Sequence, residues 1–163
     1  MTQIIAETQK DLPSTAEMLS MSGLEFMQSV LDGRISAPPI GGLLNYQIRD
    51  VEPGRVVFTG SPEFASQNPM GTVHGGWYGT LLDSCMACAV MTMVPKGAMY
   101  TTLEYKVNIT RAIPVGMGIE AIGRVQHAGR TTGVANGEIR GVKDGKLYAT
   151  GSTTCMIYTP TKE

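Results

Sequence analysis

The sequence has no surplus of either charge and no long run of one residue type. Its 13 Lys and Arg residues balance 14 Asp and Glu residues, and the basic residues do not cluster. This argues against a surface built for nucleic acid or for anionic membranes. No apolar run reaches the ~18 residues of a membrane-spanning helix, and residues 1–20 lack the basic-then-apolar order of a signal peptide. We therefore expect a cytoplasmic protein with neither nucleic acid nor membrane as a partner.

Cysteine is scarce, with only Cys85, Cys88 and Cys155 in the chain. The first two form a C-x-x-C motif, which raises zinc or redox chemistry as possibilities. Neither of the two histidines supplies a second ligand pair at a familiar spacing. A redox pair is expected at the start of a helix, where the thiolate is stabilised, and not in its middle. We interpret all three as reduced core cysteines, which fits a cytoplasmic setting.

The periodicity of apolar residues predicts one α+β domain with a single long helix. Residues 1–35 are expected to form a loosely held arm (1–20) and a short amphipathic helix (21–32), and 36–163 the main domain. Residues 37–42 read as a connector and 62–72 as a loop. Strand patterns cover 44–48, 55–59, 101–110, 118–126, 132–140 and 146–158. The helix over 74–93 is apolar nearly all round, so an antiparallel sheet must curl around it, its last four strands in meander order.

One carboxylate lies inside that apolar helix. From Trp77 to Met93 the only residue charged at neutral pH is Asp83. Removing a carboxylate from water costs several kcal/mol unless it is paired or hydrogen-bonded, and it raises the pKa. Asp83 is therefore a candidate catalytic residue; the alternative is a structural carboxylate bonded to Thr80 or Ser84.

The start of the same helix predicts a site for a carbonyl group. The first N–H groups of a helix have no internal partner and favour negative charge, and Gly75 and Gly76 leave room for a ligand to approach them. This is the arrangement of an oxyanion hole. His74 is placed to orient the carbonyl, and Asn68 to hold water or substrate. The alternatives are tight packing at His-Gly-Gly and an ordinary turn at Asn68-Pro69.

These two features are too far apart to act together within one helix. Asp83 lies eight residues beyond Gly75, which is about 12 Å along the helix axis. Either they are unrelated, or a second subunit brings its own Asp83 to the first subunit's glycines.

The chain resembles the hotdog-fold acyl-CoA thioesterases of the phenylacetate-pathway (PaaI-like) type. The motifs that carry the resemblance are Asn68-Pro69, Gly71-Thr72-Val73-His74-Gly75-Gly76, Leu82-Asp83, residues 101–108, Gly129-Arg130 and residues 145–150. The resemblance implies an antiparallel sheet of about five to six strands around the central helix. It also implies a homodimer, usually doubled to a tetramer, with no metal and no bound cofactor; coenzyme A enters only as part of the substrate.

The resemblance also assigns roles to single residues. Asp83 is expected to act as nucleophile or general base, the His74-Gly75-Gly76 backbone to polarise the thioester carbonyl, and Asn68 to align water. A hydroxyl residue near the acid is expected from the strand after the helix, where Thr102 is favoured and Glu104 stays open.

The turn Gly129-Arg130-Thr131 matches one that meets the nucleotide end of coenzyme A. A guanidinium can fork onto a phosphate there, although a solvated charge is the ordinary reading of Arg130. The acyl pocket is expected among Leu81, Met86, Val90 and the N-terminal helix.

The predicted function is hydrolysis of an acyl-CoA or aryl-acyl-CoA thioester. The alternative is a non-catalytic hotdog protein that binds acyl-CoA. A hotdog hydratase or dehydratase is disfavoured, because its acid and histidine are usually arranged differently.

Overall fold

The structure, a computed structural model, describes residues 3–160. In that part of the chain the helices are α1 (Thr15–Leu19), α2 (Gly23–Leu31), α3 (Pro39–Leu43) and α4 (Gly75–Met91), with single 3-10 turns at Gln9–Asp11 and Phe64–Ser66. The strands are β1 (Tyr46–Glu52), β2 (Arg55–Gly60), β3 (Met99–Ile109), β4 (Ile119–Ala128), β5 (Thr132–Gly141) and β6 (Leu147–Tyr158). None of the helices in residues 3–160 is both long and apolar enough to cross a membrane.

All six strands of the described chain form one antiparallel sheet, in the order β1-β2-β4-β5-β6-β3. The sheet curls around α4, on which Leu81, Leu82, Met86 and Val90 are 0 % exposed. The predicted α+β hotdog architecture, with a sheet wrapped around one central helix, is confirmed.

The predicted meander of the last four strands is wrong in one connection. Strands β4, β5 and β6 follow one another across the sheet, but β3 pairs with β6 and β4 pairs with β2. The chain after β3 therefore crosses to the other half of the sheet. Alternation of apolar residues shows which face of a strand is buried but not which strand lies beside it, so the pattern carries no signal for this crossover.

Two glycines let the sheet approach α4 closely. A Cβ at Gly123 of β4 would lie 2.0 Å from the Cys85 carbonyl oxygen, and one at Gly137 of β5 would lie 2.7 Å from Met86 Cγ. These positions bring the centre of the sheet against the middle of the helix, where Asp83 is located.

For residues 3–20 the expectation of a loosely held N-terminal arm is wrong; residues 1 and 2 of that arm lie outside the described residues. The Ala6 N–H donates to the Ala37 carbonyl at 2.9 Å, and the Ala37 N–H donates to the Ile4 carbonyl at 2.7 Å. The Gln3 side-chain amide exchanges hydrogen bonds with the backbone of Ile48 on β1. These contacts join residues far apart in sequence, so they leave no periodic signal.

The next elements agree partly with the expectation. The short helix is confirmed as α2, which begins at a capping box formed by Ser22 and Glu25. The expected connector over 37–42 contains α3, a single helical turn whose start at Pro39 follows the preference of proline for the first helical position.

A β-bulge breaks the simple alternation predicted for β3. The register against β6 shifts between Thr102 and Glu104. The alternation places Thr102 and Tyr105 on opposite faces, but both face α4: Thr102 hydrogen-bonds to Asp83, and a Cβ at Gly79 would lie 3.4 Å from the Tyr105 ring. An extra residue in a strand reverses the side on which the following residues point.

Candidate active site

The start of α4 is organised by His74, which is its N-cap residue. The His74 N–H donates to the Ser66 carbonyl at 2.8 Å, and the ring Nδ1 accepts from the Gly76 N–H at 2.9 Å. Because Nδ1 is the acceptor, the proton of the neutral imidazole is assigned to Nε2. The ring is thus held with a donor available beyond the helix start, in an exposed position.

The two glycines after His74 have different surroundings. The Gly76 N–H is occupied by the imidazole, and a Cβ there would lie 2.9 Å from Nδ1. The Gly75 N–H has no acceptor among residues 3–160. A Cβ at Gly75 would meet only Ile109 Cδ1, at 3.6 Å. Gly75 therefore presents an exposed donor near Ile109 of β3, whereas Gly76 positions the histidine.

Asp83 is half-buried on the side of α4 that faces β3. Its Oδ1 accepts a hydrogen bond from Thr102 Oγ1 at 3.0 Å. Burial raises the pKa of Asp83, and the Thr102 hydrogen bond opposes that rise only in part. No basic side chain of residues 3–160 forms an ion pair with it. The arrangement is a carboxylate made more basic by its surroundings.

The alternative role for Asp83, a structural carboxylate bonded to Thr80 or Ser84, is not supported, because both hydroxyl groups bond to other residues. Thr80 donates to the Gly76 carbonyl at 2.9 Å, and the Ser84 hydroxyl pairs with the Tyr46 hydroxyl at 3.0 Å. Of the two residues left open on β3, the one in contact with Asp83 is Thr102. The side chain of Glu104 is exposed.

Asn68 closes the loop before α4. Its Oδ1 accepts from the N–H groups of Met70 (3.0 Å) and Thr72 (3.2 Å), and its Nδ2 donates to Thr72 Oγ1 at 2.8 Å. The Gly71 N–H also donates to the Asn68 carbonyl, at 2.9 Å. These bonds leave one amide hydrogen of Asn68 for a water or a substrate. In the described chain no hydrogen bond connects Asn68 with His74 or Asp83.

Gly129, Arg130 and Thr131 form the exposed turn between β4 and β5. The Gly129 N–H donates to the Thr132 carbonyl at 2.8 Å, and the Thr131 carbonyl accepts from Ile157 at 2.9 Å. Arg130 makes no ion pair within residues 3–160. No hydrogen bond of the described chain links this turn to the α4 start, so it is a separate position with an unpaired guanidinium.

The three cysteines are free thiols. Cys85 and Cys155 are 0 % exposed, and burial raises the pKa of the Cys88 thiol to about 12. Such thiols carry little thiolate at neutral pH. Nowhere in residues 3–160 do three His, Cys, Asp or Glu side chains come together as a possible metal site.

A cavity of about 320 Å³ lies near Asp83, and its lining agrees only in part with the expected pocket. Ser84, the next residue on α4, lines it, as does Tyr100 of β3, two residues before Thr102. The expected pocket residues Leu81, Met86 and Val90 do not line it, because they are packed against the sheet. The apolar stripe of α2 does line the cavity, through Phe26, Met27 and Val30. The helical spacing of these apolar residues is the feature of the sequence that indicates this wall of the cavity.

Comparison with known sequences relates the chain to thioesterases and esterases. The family model described as the thioesterase superfamily matches residues 70–148. A Caenorhabditis elegans protein, provisionally named as an esterase, is 36% identical over 87 residues, which are 53% of this chain and 51% of that protein. The chain therefore spans about half the length of this curated relative.

Solved structures are similar over a larger share of the chain. One from Ralstonia eutropha, provisionally described as a thioesterase related to phenylacetic acid degradation, is 31% identical with a TM-score of 0.73, covering 80% of this chain and 98% of that one. A hypothetical thioesterase from Streptococcus pneumoniae, solved with coenzyme A, is 27% identical with a TM-score of 0.66, covering 76% and 93% of the two chains.

Proposed function

We propose that this chain, which belongs to the thioesterase superfamily, hydrolyses an acyl or aryl-acyl thioester of coenzyme A to the free acid and coenzyme A. The observation that carries the proposal is Asp83, a half-buried carboxylate with a raised pKa that has one hydrogen bond and no paired cation within residues 3–160. Coenzyme A as the carrier is supported by the relative that was solved with it. The unpaired Arg130 offers a guanidinium suited to a phosphate.

The reaction needs a second copy of the chain. A carbonyl held by the Gly75 N–H is about 12 Å along the helix from Asp83 of the same chain. Strand β3 supplies a surface for pairing, because it is an edge of the sheet and exposes Leu103 (61%), Tyr105 (47%) and Ile109 (48%). Pairing of β3 with β3 of a second copy would cover these side chains and satisfy the outward backbone groups of the edge.

In the proposed reaction the thioester carbonyl accepts hydrogen bonds from the Gly75 N–H and from Nε2–H of His74. These donors stabilise the oxyanion of the tetrahedral intermediate. As a general base, Asp83 of the second copy removes a proton from water as the water oxygen bonds to the acyl carbon; the C–S bond then breaks, and the coenzyme A thiolate takes up that proton. As a nucleophile, an Asp83 oxygen bonds to the acyl carbon and the C–S bond breaks, which leaves an aspartyl anhydride and the thiolate; water then cleaves the anhydride to the free acid, and the proton that water loses goes to the thiolate. Burial suits Asp83 to the task, because a carboxylate of raised pKa is a stronger base.

The first experiment replaces Asp83 by Asn and measures free-thiol release over a panel of acyl-CoA and aryl-acyl-CoA esters. We expect kcat to fall by about 10²–10⁴, the usual contribution of a general base. Asp32→Asn is the matched control, because Asp32 pairs only with Arg34 in an exposed position, where such pairs are worth little. If D83N kept nearly the full kcat on every substrate of the wild type, the proposed catalytic role of Asp83 would be refuted. Binding of an ester by the wild type with no thiol released over hours would favour the non-catalytic alternative.

The second experiment tests the shared site. Asp83→Asn subunits are mixed with Gly75→Val subunits after each has been shown to be inactive alone. If the site combines two copies, each heterodimer holds one intact site, and random mixing restores roughly a quarter of wild-type activity for a two-fold dimer. If both residues serve one site within a chain, every site in the mixture carries a defect and activity stays absent.

A further inference from the structure

The cavity near Asp83 is almost wholly apolar. Its polar lining is sparse, and the Ser84 hydroxyl there is already paired with the hydroxyl of Tyr46. Among residues 3–160 the cavity is lined by no Asp, Glu, Lys or Arg. Such a space excludes a charged group and suits a hydrocarbon or aryl chain. Its volume of about 320 Å³ corresponds to on the order of ten non-hydrogen atoms, at roughly 30 Å³ for each water-sized group.

The cavity is lined by sequence neighbours of the proposed reacting groups. Ser84 follows Asp83 on α4, and Tyr100, which packs against the core, lies two residues before Thr102 on β3. An acyl chain whose carbonyl carbon lies at Asp83 can therefore extend into this space. That assignment rests on the proposed thioesterase function.

The N-terminal arm, defined as residues 3–20, forms one part of the cavity wall. The arm residues that line the cavity are Gln3, Ile5, Leu12, Pro13 and Met18. The arm is attached mainly by backbone hydrogen bonds at its ends, to Ala37 near its start and from Gly97 to the Leu19 carbonyl at 3.2 Å. Among the lining residues Gln3 also attaches the arm through its side chain, to the Ile48 backbone, whereas Ile5 and Leu12 take no part in these hydrogen bonds through their side chains. A change in their size alters the cavity while the arm stays in place.

We propose that the N-terminal arm is the specificity-determining wall of the acyl compartment and sets the longest acyl group that the enzyme turns over. The arm offers an internal control, because residues of the same type within it differ in whether they reach the cavity. Ile5 lines it and Ile4, 56% exposed, does not; Leu12 lines it and Leu19 does not.

The test measures kcat/KM over a series of saturated acyl-CoA esters of increasing chain length. Ile5→Ala and Leu12→Ala each remove about three carbons from the wall, which leaves room for two or three further methylenes. Each buried methylene is worth roughly fourfold in binding. We expect kcat/KM for esters just beyond the wild-type limit to rise at least tenfold, with little change for the shortest esters. The controls Ile4→Ala and Leu19→Ala should keep the wild-type length profile.

A variant that fills part of the cavity tests whether the acyl group binds there at all, independently of the role of the arm. Ala98 lines the cavity from outside the arm, so Ala98→Leu should shorten the longest accepted chain. If A98L shortens it while I5A and L12A keep the wild-type profile with unchanged Tm, the arm is not the wall. If all three keep the wild-type profile, the acyl group lies elsewhere and the proposal is overturned. The activity of the wild type is measured first. If the wild type turns over none of the esters, the thioesterase function itself is overturned. If the variants are active and keep the wild-type length profile, only the role of the arm is overturned.

Discussion

Replacing Gly75 and Gly76 by Ala, one at a time, tests the start of α4 most directly. The two residues are adjacent, and neither is among the glycines with positive φ. Among residues 3–160, a Cβ at Gly75 meets only Ile109 Cδ1 at 3.6 Å, an ordinary contact, but it adds a methyl group beside the open Gly75 N–H. A Cβ at Gly76 lies 2.9 Å from His74 Nδ1 and displaces the imidazole. The first change therefore perturbs the proposed site, and the second perturbs the helix cap.

The magnitudes follow from these contacts. Both variants gain up to about 1 kcal/mol of helix stability from Ala. Only G76A loses the N-cap hydrogen bond, worth about 1 kcal/mol. For a domain of this size that difference places the Tm of G76A about 2–4 °C below that of G75A. In G75A the methyl group keeps a carbonyl away from the free N–H, so kcat should fall by about 10², the lower end for loss of an oxyanion donor.

The assay combines thermal unfolding with thiol release from the best wild-type ester. We expect G75A to match or exceed the wild-type Tm while losing activity, so that the loss cannot come from unfolding. If G75A keeps kcat/KM within twofold of wild type with an unchanged Tm, no carbonyl binds at Gly75. The oxyanion site and the shared-site mechanism would then both be refuted.

Three further predictions follow from other contacts. Asp83→Asn should raise the Tm, because burial raises the pKa of Asp83 above its ordinary 3.8. The stability that the protonated carboxyl contributes to the wild type is full below pH 3.8 and is lost as the pH rises through the raised pKa. The difference in Tm between D83N and the wild type should therefore grow when thermal unfolding is measured from acid to neutral pH. Gly123→Ala should cost about 3 kcal/mol in urea unfolding, because its Cβ lies 2.0 Å from a carbonyl oxygen of α4, whereas Gly118→Ala, whose nearest contact is 4.0 Å away, should be nearly neutral. Thr102→Val removes the hydrogen bond that lowers the Asp83 pKa, so the acidic limb of the kcat/KM profile should move to higher pH; an unmoved limb would show that Asp83 does not control it.

Parts of the fold were predictable because each depends on a local pattern. The apolar run with a single carboxylate predicts a buried helix, and alternating residues predict the strands on which the sheet is built. The pairing of β3 with β6 was not predictable, because neighbouring strands are chosen by contacts across the whole chain. The bulge at Thr102 was not predictable either, since one extra residue in a strand leaves its composition unchanged.

The site shows the same limit at the scale of single side chains. The residue types at His74, Gly75 and Gly76 predict donors at a helix start. They do not show that the imidazole takes up the second glycine's N–H and leaves the first one open, because this depends on the rotamer of His74. The attachment of the N-terminal arm was not predictable for a related reason. Ile4 and Ala6 are held by backbone hydrogen bonds to Ala37, and such bonds do not depend on the side chains that a sequence pattern records.

The energetics of Asp83 argue that its position serves chemistry rather than the fold. The described chain gives it one hydrogen bond, from Thr102, and no cation. An Asn of nearly the same shape would keep that hydrogen bond without the cost of a half-buried charge. What Asn cannot supply is a base or a nucleophile. The helix also keeps Asp83 about 12 Å from the open Gly75 N–H, so an Asp83 that acts on a carbonyl held at Gly75 has to come from a second chain, and the exposed edge of β3 is where we expect that chain to bind.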